Sequence, residues 1–244
     1  DQRMCGRYAL VDGKRVFLSW ENMKHMLRDG VVFEILPRYN AAPTQKMPVV
    51  AVRENATKIG MMQWGLVPHW SKEPKTTFST INAVGEKLGE SKLYAPYFRS
   101  SRCLVPADAF YEWKKLTVEK EVRGRKTTVQ EKQPVCIRMK DKAPFMFAGL
   151  FSVWKSEKGE ELPTYTIITT TPNELMQDIH NRMPVILDEK DFEQWLDRGY
   201  KDTDQLKTLL KPYPPENMIA YPVSRLVNSP TNDVPECLEP LEKS

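Results

Sequence analysis

The segment Phe145-Met146-Phe147-Ala148-Gly149-Leu150-Phe151 is apolar at every position. A strand with one face in water alternates apolar and polar residues, whereas a strand covered on both faces is apolar throughout. The segment therefore predicts a strand that is buried on both sides. The chain of 244 residues is long enough to form the large core that such a strand needs.

Other strand patterns are separated by turns and by short helical patterns, without a regular alternation of strand and helix. We predict strands at 5–11, 46–53, 59–67, 134–139, 145–154, 165–170 and 218–223, and two short strands about a turn within 102–113. We predict helices at 12–29, 86–94, 188–196 and 203–210, and a short helix that Thr171 caps. The fold class is therefore α+β: a single domain, residues 1–244, with a mixed or antiparallel barrel-like β-sheet and several short peripheral helices.

Cysteine usage and hydropathy limit the class of protein. Cys5, Cys103, Cys136 and Cys237 are scattered without a C-x-x-C pair, which argues against a zinc ribbon or a disulfide framework. No apolar run approaches a membrane span, and no secretory h-region is found. These features indicate a reducing, intracellular compartment. The net charge of +4 is compatible with a polyanionic partner and does not demonstrate one.

A Met4-Cys5 pair lies close to the first residue of the chain. If Met4 is the initiator and is removed, Cys5 carries both a free thiol and a free α-amine, with reference pKa values near 8.5 and 8. An aldehyde can form an imine with the amine, and the thiol can then close a thiazolidine ring. The alternative is that Cys5 is a small apolar residue of a first strand, because free Cys is often buried.

Glu112 lies between two aromatic residues, Tyr111 and Trp113. A carboxyl group packed among rings is desolvated, which raises its pKa towards values useful for acid–base chemistry. The alternative is an edge-strand glutamate that faces water.

Two tryptophans, Trp64 and Trp70, flank a rigid Gly-Pro elbow. We expect Trp64 in the core and Trp70 partly exposed, where its ring can stack on an unpaired base.

The chain has three histidines, His25, His69 and His180, and their placement makes a poor metal set. The sequence is compatible with a Cys-His thiol hydrolase that uses Cys5 and His180. The chain lacks the G-x-S-x-G motif that is usual in Ser-His-Asp hydrolases.

Residues 114–132 form a charged insertion that we interpret as an exposed β-hairpin.

Seven motifs, in this order, resemble those of the SRAP (SOS response-associated peptidase) family of abasic-site-processing proteins. They are Met4-Cys5-Gly6-Arg7, Tyr39-Asn40-Ala41-Ala42-Pro43, Trp64-Gly65-Leu66-Val67-Pro68-x-Trp70, Ile81-Asn82-Ala83, Ala107-Asp108-Ala109-Phe110-Tyr111-Glu112-Trp113, Asp178-Ile179-His180-Asn181-Arg182-Met183-Pro184, and Val223-Ser224 with Val227-Asn228. Each motif is weak alone, whereas seven in order, from Met4 to about Glu239, are highly specific.

The resemblance implies a suicide enzyme that captures abasic sites in single-stranded DNA. By residue match, Cys5 is the nucleophile that forms a thiazolidine with the ring-opened deoxyribose. Asn82 contacts the crosslinked sugar, Glu112 moves protons, and His180 helps to open the sugar ring. The residues implied in DNA binding are Arg7, Pro43, Trp70 and Arg182.

The same resemblance implies no cofactor, no metal and no membrane partner, a monomer, and a cytoplasmic protein that is nucleoid-associated when on DNA. Imine formation by the amine alone makes lyase activity a plausible side reaction. Two departures from the family pattern stand out. Residues 1–3 precede Met4, as a cloning remnant or as a leader that must be removed, which the family's self-processing could do. Val84 replaces an arginine of many members, and Arg99, Arg102 or a lysine of 114–132 is a candidate substitute.

Two other functions remain open from the sequence. One is a non-catalytic module that binds single-stranded nucleic acid through Trp70 and the arginines, and needs no Cys5. The other is a thiol peptidase or amidohydrolase that uses Cys5, His180 and Glu112, and must turn over an amide substrate.

Overall fold

The computed structural model describes residues 5–13 and 35–241. The strands are β1 (Tyr8–Leu10), β2 (Arg38–Ala41), β3 (Lys46–Arg53), β4 (Ala56–Trp64), β5 (Asn82–Val84), β6 (Arg102–Ala107), β7 (Ala109–Val122), β8 (Arg125–Met139), β9 (Phe145–Lys155), β10 (Glu161–Thr170), β11 (Met183–Pro184), β12 (Ile186–Leu187) and β13 (Met218–Pro222). The α-helices are α1 (Ala95–Ser100), α2 (Glu174–Gln177), α3 (Phe192–Leu196) and α4 (Thr203–Lys207). Short 3-10 helices lie at Phe78–Thr80, Gly85–Lys87, Glu189–Asp191, Pro215–Asn217, Arg225–Asn228 and Pro235–Leu238.

Strands β3, β4, β6, β9 and β10 close into a barrel. The pairs β3–β4, β3–β6, β6–β9 and β9–β10 are antiparallel, and the parallel pair β10–β4 closes the ring. Beyond the end of β4, the short strand β5 continues the parallel pairing with β10. A closed ring leaves few open edges, which explains how so many apolar strands coexist in one domain.

The second sheet is antiparallel, in the order β13-β8-β7-β1-β2. Its longest element is the β7–β8 hairpin, which contains the charged segment 114–132. Arg123 and Gly124 join the two strands, and both have positive φ, as a two-residue hairpin turn requires. The hairpin brings Glu112 at its base beside β1, and therefore beside Cys5.

The core of the barrel is aromatic. Tyr8 is fully buried, and its ring packs edge-on against Trp64 and Phe147, with centroid distances of 5.1 and 5.7 Å. Its hydroxyl group lies 2.6 Å from that of Tyr165, so the two buried phenols satisfy each other. Tyr8 belongs to β1, so this packing fixes the strand that begins three residues after Cys5.

The continuous apolar segment predicted as a doubly covered strand is β9, whose residues Phe145–Ser152 are all buried. Gly149 is required within it. A Cβ atom at this position would lie 2.8 Å from the Thr166 carbonyl oxygen and 2.9 Å from Cys103 Sγ, which is closer than real Cβ contacts. The barrel strands therefore approach one another too closely at Gly149 for a side chain.

Two local predictions are wrong. The helix predicted at 86–94 is replaced by a 3-10 turn at Gly85–Lys87, and α1 starts at Ala95, with Pro96 in its first turn. Gly85 and Gly89 disfavour a helix here, whereas Pro is tolerated in a first turn. The N-cap of α2 is Asn173 rather than Thr171: the Asn173 side chain accepts the Met176 N–H at 3.0 Å.

The α+β prediction, with a mixed barrel-like sheet and short helices, is confirmed. Trp64 is buried and Trp70 is 67% exposed, as predicted. The helix predicted at 12–29, including His25, lies outside the described residues. Among the described residues, no helix is long and apolar enough to cross a membrane.

Candidate active site

A cleft of about 720 Å³ opens between the start of β1, the loop after β2, the base of the β7–β8 hairpin and the loop after α2. Of the residues proposed from the sequence, Arg7, Pro43, Glu112 and His180 line it. The other lining residues are Gly6, Ala42, Thr44, Ile81, Trp113, Lys115, Lys132, Gln177, Asp178, Ile179, Asn181, Asn228 and Pro230.

Cys5 immediately precedes Gly6 of the cleft wall and is 1% exposed. Burial raises the pKa of its thiol well above the ordinary value, and the nearby Glu112 carboxylate raises it further. The thiol is therefore protonated at neutral pH. A protonated, enclosed thiol is unlike the ionised cysteine of a thiol hydrolase.

Glu112 is 2% exposed, and burial raises the pKa of its carboxyl group well above the ordinary value. The backbone N–H groups of Trp113 and Cys5 oppose this shift by hydrogen bonding to the carboxylate. Its Oε1 atom is buried and has no hydrogen-bond partner among the described residues. The predicted desolvation of Glu112 is confirmed. An orphaned buried carboxyl oxygen beside a cleft is a position for a substrate hydrogen bond.

His180 adjoins this carboxyl group, with its Nε2 atom 4.0 Å from Glu112 Oε2. The Nδ1 atom accepts the Arg182 backbone N–H at 3.1 Å. This bond places the proton of the neutral imidazole on Nε2, where it points to Glu112. Burial lowers the pKa of His180, and the positive charge of Lys115 lowers it further. The imidazole is therefore neutral at pH 7, with an N–H available in the cleft.

Asn82 is 6% exposed on β5, next to Ile81 of the cleft wall. Its side-chain Nδ2 donates to the Ile167 carbonyl at 3.4 Å. Among the described residues no hydrogen bond joins Asn82 to Cys5, Glu112 or His180. The structure thus brings Cys5, Glu112 and His180 together, whereas Asn82 is not among the residues that line the cleft.

Arg7 is the residue before β1, and its guanidinium group contacts backbone carbonyl oxygens. Its guanidinium donates to the carbonyls of Val227 at 2.5 Å and Asn228 at 3.1 Å, and it lies 5.8 Å from the Trp113 ring centroid. Burial lowers the pKa of the guanidinium below its ordinary value, and the group still carries its charge at neutral pH. Arg7 therefore brings a fixed positive charge to the cleft wall and ties the start of β1 to the C-terminal segment.

Asn40 also binds the C-terminal segment. The sequence indicated its motif and no role for its side chain. The side chain is fully buried. Its Nδ2 lies within 3.2 Å of three carbonyl oxygens, those of Val227, Ser229 and Asn232, and its Oδ1 accepts from Arg7 at 3.3 Å. The segment that carries Asn228 and Pro230 is thereby fixed over the cleft.

Trp70 and Arg182 do not line the cleft. Trp70 follows the turn at Gly65, where φ is +111° and a Cβ atom would collide with Thr76, so only glycine allows this path. Arg182 forms a two-pronged ion pair with Glu86, at 3.0 and 2.8 Å, and donates to the Thr169 carbonyl at 2.9 Å. The side chain of Arg182 is 17% exposed, so its charge is partly committed within the protein.

The suggestion that Arg102 substitutes for the arginine absent at position 84 is wrong. Arg102 is 2% exposed, and its guanidinium donates to the carbonyls at the ends of two helices. These are the carbonyls of Phe98, Arg99, Trp195, Asp197 and Tyr200. Lys115 and Lys132 of the charged segment, in contrast, line the cleft. Within the described ranges, no cluster of three or more His, Cys, Asp or Glu side chains could hold a metal ion.

Comparison with known proteins agrees with these motifs. The sequence model of the SOS response associated peptidase (SRAP) family matches residues 4–230. Abasic site processing protein YoqW of Bacillus subtilis is 40% identical over 236 residues, which cover 97% of this chain and 99% of YoqW. Abasic site processing protein HMCES of Gallus gallus is 36% identical over 261 residues, which cover 99% of this chain and 74% of HMCES.

Solved structures show the same fold. A crystal structure of a protein from Bacteroides thetaiotaomicron superimposes with a TM-score of 0.75 and 24% identity, covering 97% of this chain and 100% of that one. The family match extends over nearly the whole chain and includes the segments that carry Cys5, Glu112 and His180. The chain therefore belongs to the SRAP family.

Proposed function

We propose that this protein processes abasic sites in single-stranded DNA by covalent capture through Cys5. The names of its relatives, family membership and the grouping of Cys5, Glu112 and His180 at one cleft support this function. The observation that carries the proposal is the buried Glu112 carboxyl group. It meets the Cys5 N–H on one side and His180 on the other, and it retains an unpartnered oxygen.

The first step exposes the Cys5 amine, which requires cleavage of the Met4–Cys5 peptide bond. The Cys5 thiol attacks the preceding carbonyl carbon and its proton passes to the leaving Cys5 nitrogen, so that the C–N bond breaks and a thioester forms. Water then hydrolyses the thioester, which frees the thiol. The Cys5 N–H already lies at the Glu112 carboxylate, so the freed amine would emerge beside an acid–base group. A freed ammonium would also lower the pKa of Glu112.

The second step is imine formation with the ring-opened sugar. As the hemiacetal opens, the His180 Nε2–H donates its proton to the ring oxygen, and the anomeric hydroxyl proton returns to the imidazole as the aldehyde forms. The amine then adds to the aldehyde carbon. Glu112 then gives its proton to the hydroxyl group of the carbinolamine, which leaves as water. General acid–base help of this kind typically contributes about 10²–10⁴ in rate.

The third step closes the ring. The thiol sulfur bonds to the imine carbon, and its proton passes to the imine nitrogen through Glu112, so no oxidant or further reactant is needed. The raised pKa of the thiol keeps that proton on sulfur until the imine forms. If the imine persists instead, loss of the adjacent proton leads to β-elimination, so lyase activity is a side reaction of the same site.

DNA binding is proposed to involve Arg7, Pro43, Trp70 and Arg182, with Asn82 holding the captured sugar. Arg7 and Pro43 line the cleft, and exposed Trp70 offers a ring on which an unpaired base can stack. The need for an unpaired base favours a single strand over a duplex. A sequence-independent mode of binding follows, since phosphate contacts carry no base information.

The crosslink assay tests this proposal. Protein that begins at Cys5 should form a heat-stable adduct with an abasic single-stranded oligonucleotide, and Cys5→Ala should not. Cys5→Ser retains the amine and should give only an imine that borohydride traps. An equally heat-stable adduct from Cys5→Ala would exclude the thiazolidine. DNA binding without any adduct from Cys5-initiated protein would favour the non-catalytic module.

A thiol peptidase that turns over external substrates has less support. Such an enzyme needs an ionised thiol adjacent to its histidine. Here burial and Glu112 keep the Cys5 thiol protonated, and it is Glu112 that adjoins both Cys5 and His180.

A further inference from the structure

Two lysines face each other where the β7–β8 hairpin meets the cleft. Lys115 of β7 is the register partner of Lys132 of β8, and both line the cleft and are exposed. Directly opposite residues of an antiparallel pair have Cβ atoms about 4.5–5.5 Å apart. Lys115 also follows Trp113 by two positions, so their side chains share one face of the strand.

This arrangement has an energetic cost within the protein. Like charges that are directly opposite on a sheet are destabilising. Within the described part of the chain neither lysine forms an ion pair. On the other face of the same hairpin, Glu131 pairs with both Lys120 and Arg225. Lys120 and Arg225 thus share a carboxylate, whereas no ion pair to a carboxylate joins Lys115 or Lys132 within the described residues.

The pair is also placed for a ligand held at the reactive centre. Lys115 lies three positions after Glu112 along β7, which corresponds to about 10 Å at the usual rise of a strand. The charge of Lys115 reaches His180, whose pKa it lowers. An anion bound by the two lysines would therefore lie beside the reactive group without displacing it.

We propose that Lys115 and Lys132 form a phosphate clamp for the backbone of a single strand at the point where it leaves the cleft. This inference rests on the proposed function, since it requires a nucleic-acid substrate. A phosphodiester anion between the lysines relieves their repulsion. The clamp also supplies a positive charge to the substrate. Val84 carries no charge, and Arg102 is buried and cannot reach a substrate.

The test measures binding of an oligothymidine without an abasic site as a function of salt. Each phosphate contact to a single strand contributes about 0.7 to the slope of log K against log[salt]. Lys115→Gln/Lys132→Gln should therefore lower the magnitude of the slope by about 0.7 for one shared phosphate, or about 1.4 for two. The matched control is Arg125→Gln/Lys126→Gln at the exposed tip of the same hairpin, which removes the same charge and should leave the slope nearly unchanged.

The outcomes separate the clamp from the proposed function. If the wild-type protein binds the oligothymidine and both double variants have its slope, the clamp alone is wrong. Equal losses in the two double variants would show a general charge effect and also overturn it. If the wild-type protein binds no single strand, the proposed function fails as well. Displacement of the oligothymidine by polyglutamate, but not by a second oligonucleotide, would assign the lysines to an acidic protein segment instead. Lys115→Gln/Lys132→Gln should melt no lower than wild type, because it removes a repulsion.

Discussion

His180 Nε2 lies 4.0 Å from Glu112 Oε2, and burial shifts the pKa values of the two groups in opposite directions. The carboxyl pKa is raised and the imidazole pKa is lowered, so each neutral form is favoured. A buried pair that stays neutral avoids the desolvation cost of an ion pair. It also leaves one acidic proton on Glu112 and one N–H on His180, which are the groups that imine formation needs.

The first prediction concerns His180. His180→Ala should slow crosslinking to an abasic single strand by about 10²-fold or more, because it removes the donor to the sugar ring oxygen. Affinity for the same oligonucleotide should change little. His69→Ala is the matched control, since His69 bonds to Tyr97 and does not line the cleft. Equal rates for His180→Ala and wild type in single-turnover kinetics would leave His180 with a packing role only.

The second prediction concerns the pH dependence of stability. A free glutamate loses its proton near pH 4.3, whereas folded Glu112 retains it to higher pH. Between these values the unfolded chain binds fewer protons, so the free energy of unfolding falls as pH rises. Glu112→Gln removes this penalty. Its stability relative to wild type, measured by urea denaturation, should therefore increase with pH above about 4.3.

The control for that experiment is Glu131→Gln. Lys120 and Arg225 lower the pKa of Glu131, so its charged form is favoured in the folded protein. Its contribution is present above the unfolded-state pKa and is lost as pH falls, which is the opposite sign. If Glu112→Gln and Glu131→Gln showed the same trend with pH, Glu112 would not have a raised pKa.

The third prediction concerns competition for Arg182. Glu86 holds the Arg182 guanidinium in the free protein. Glu86→Gln should free it and tighten the binding of single-stranded DNA, with a steeper salt dependence. Arg182→Gln should weaken binding for every sequence. Glu90→Gln removes an equal charge from an exposed position nearby and serves as the control. No difference between Glu86→Gln and Glu90→Gln would exclude Arg182 as a phosphate contact.

The fourth prediction concerns Asn40. Asn40→Ala removes the donor that the carbonyls of Val227, Ser229 and Asn232 share, although the Val227 carbonyl keeps its hydrogen bond from Arg7. Loss of a buried hydrogen-bond partner costs about 1–3 kcal/mol, and the free energy of unfolding should fall by about that much. Amide exchange over 227–233 should increase. Asn232→Ala removes a single exposed hydrogen bond to Leu226 and should cost less. Equal losses in the two variants would show that Asn40 does not hold the C-terminal segment.

Patterns that depend on local burial were readable from the sequence. The strand at 46–53 is β3 with identical bounds, because its apolar run is covered on both faces and ends at the polar turn Glu54-Asn55. Glu112 was recognisable as desolvated from its aromatic neighbours. The order of the motifs identified Cys5 and His180 as partners, although spacing alone left a thiol hydrolase open.

Features that depend on tertiary contacts were not readable. The ion pair of Arg182 with Glu86 joins distant segments, and it occupies a residue that the sequence indicated only as a DNA contact. Asn40 acts on carbonyl groups near the C-terminal end, which no side-chain pattern marks. The close approach of the Gly85 backbone to the Thr169 carbonyl, where a Cβ would lie at 2.9 Å, is a further tertiary contact that no local pattern marks.

The central claim is that Cys5 captures an abasic site as a thiazolidine. The most direct test is the intact mass of Cys5-initiated protein mixed with an abasic single-stranded oligonucleotide, before and after borohydride. We predict the summed mass less one water, unchanged by borohydride, because a thiazolidine has no C=N bond to reduce. A Cys5→Ser adduct should instead gain two hydrogens. A wild-type adduct that gains two hydrogens on treatment with borohydride would contradict the claim. A Cys5→Ala adduct whose mass borohydride leaves unchanged would also contradict it.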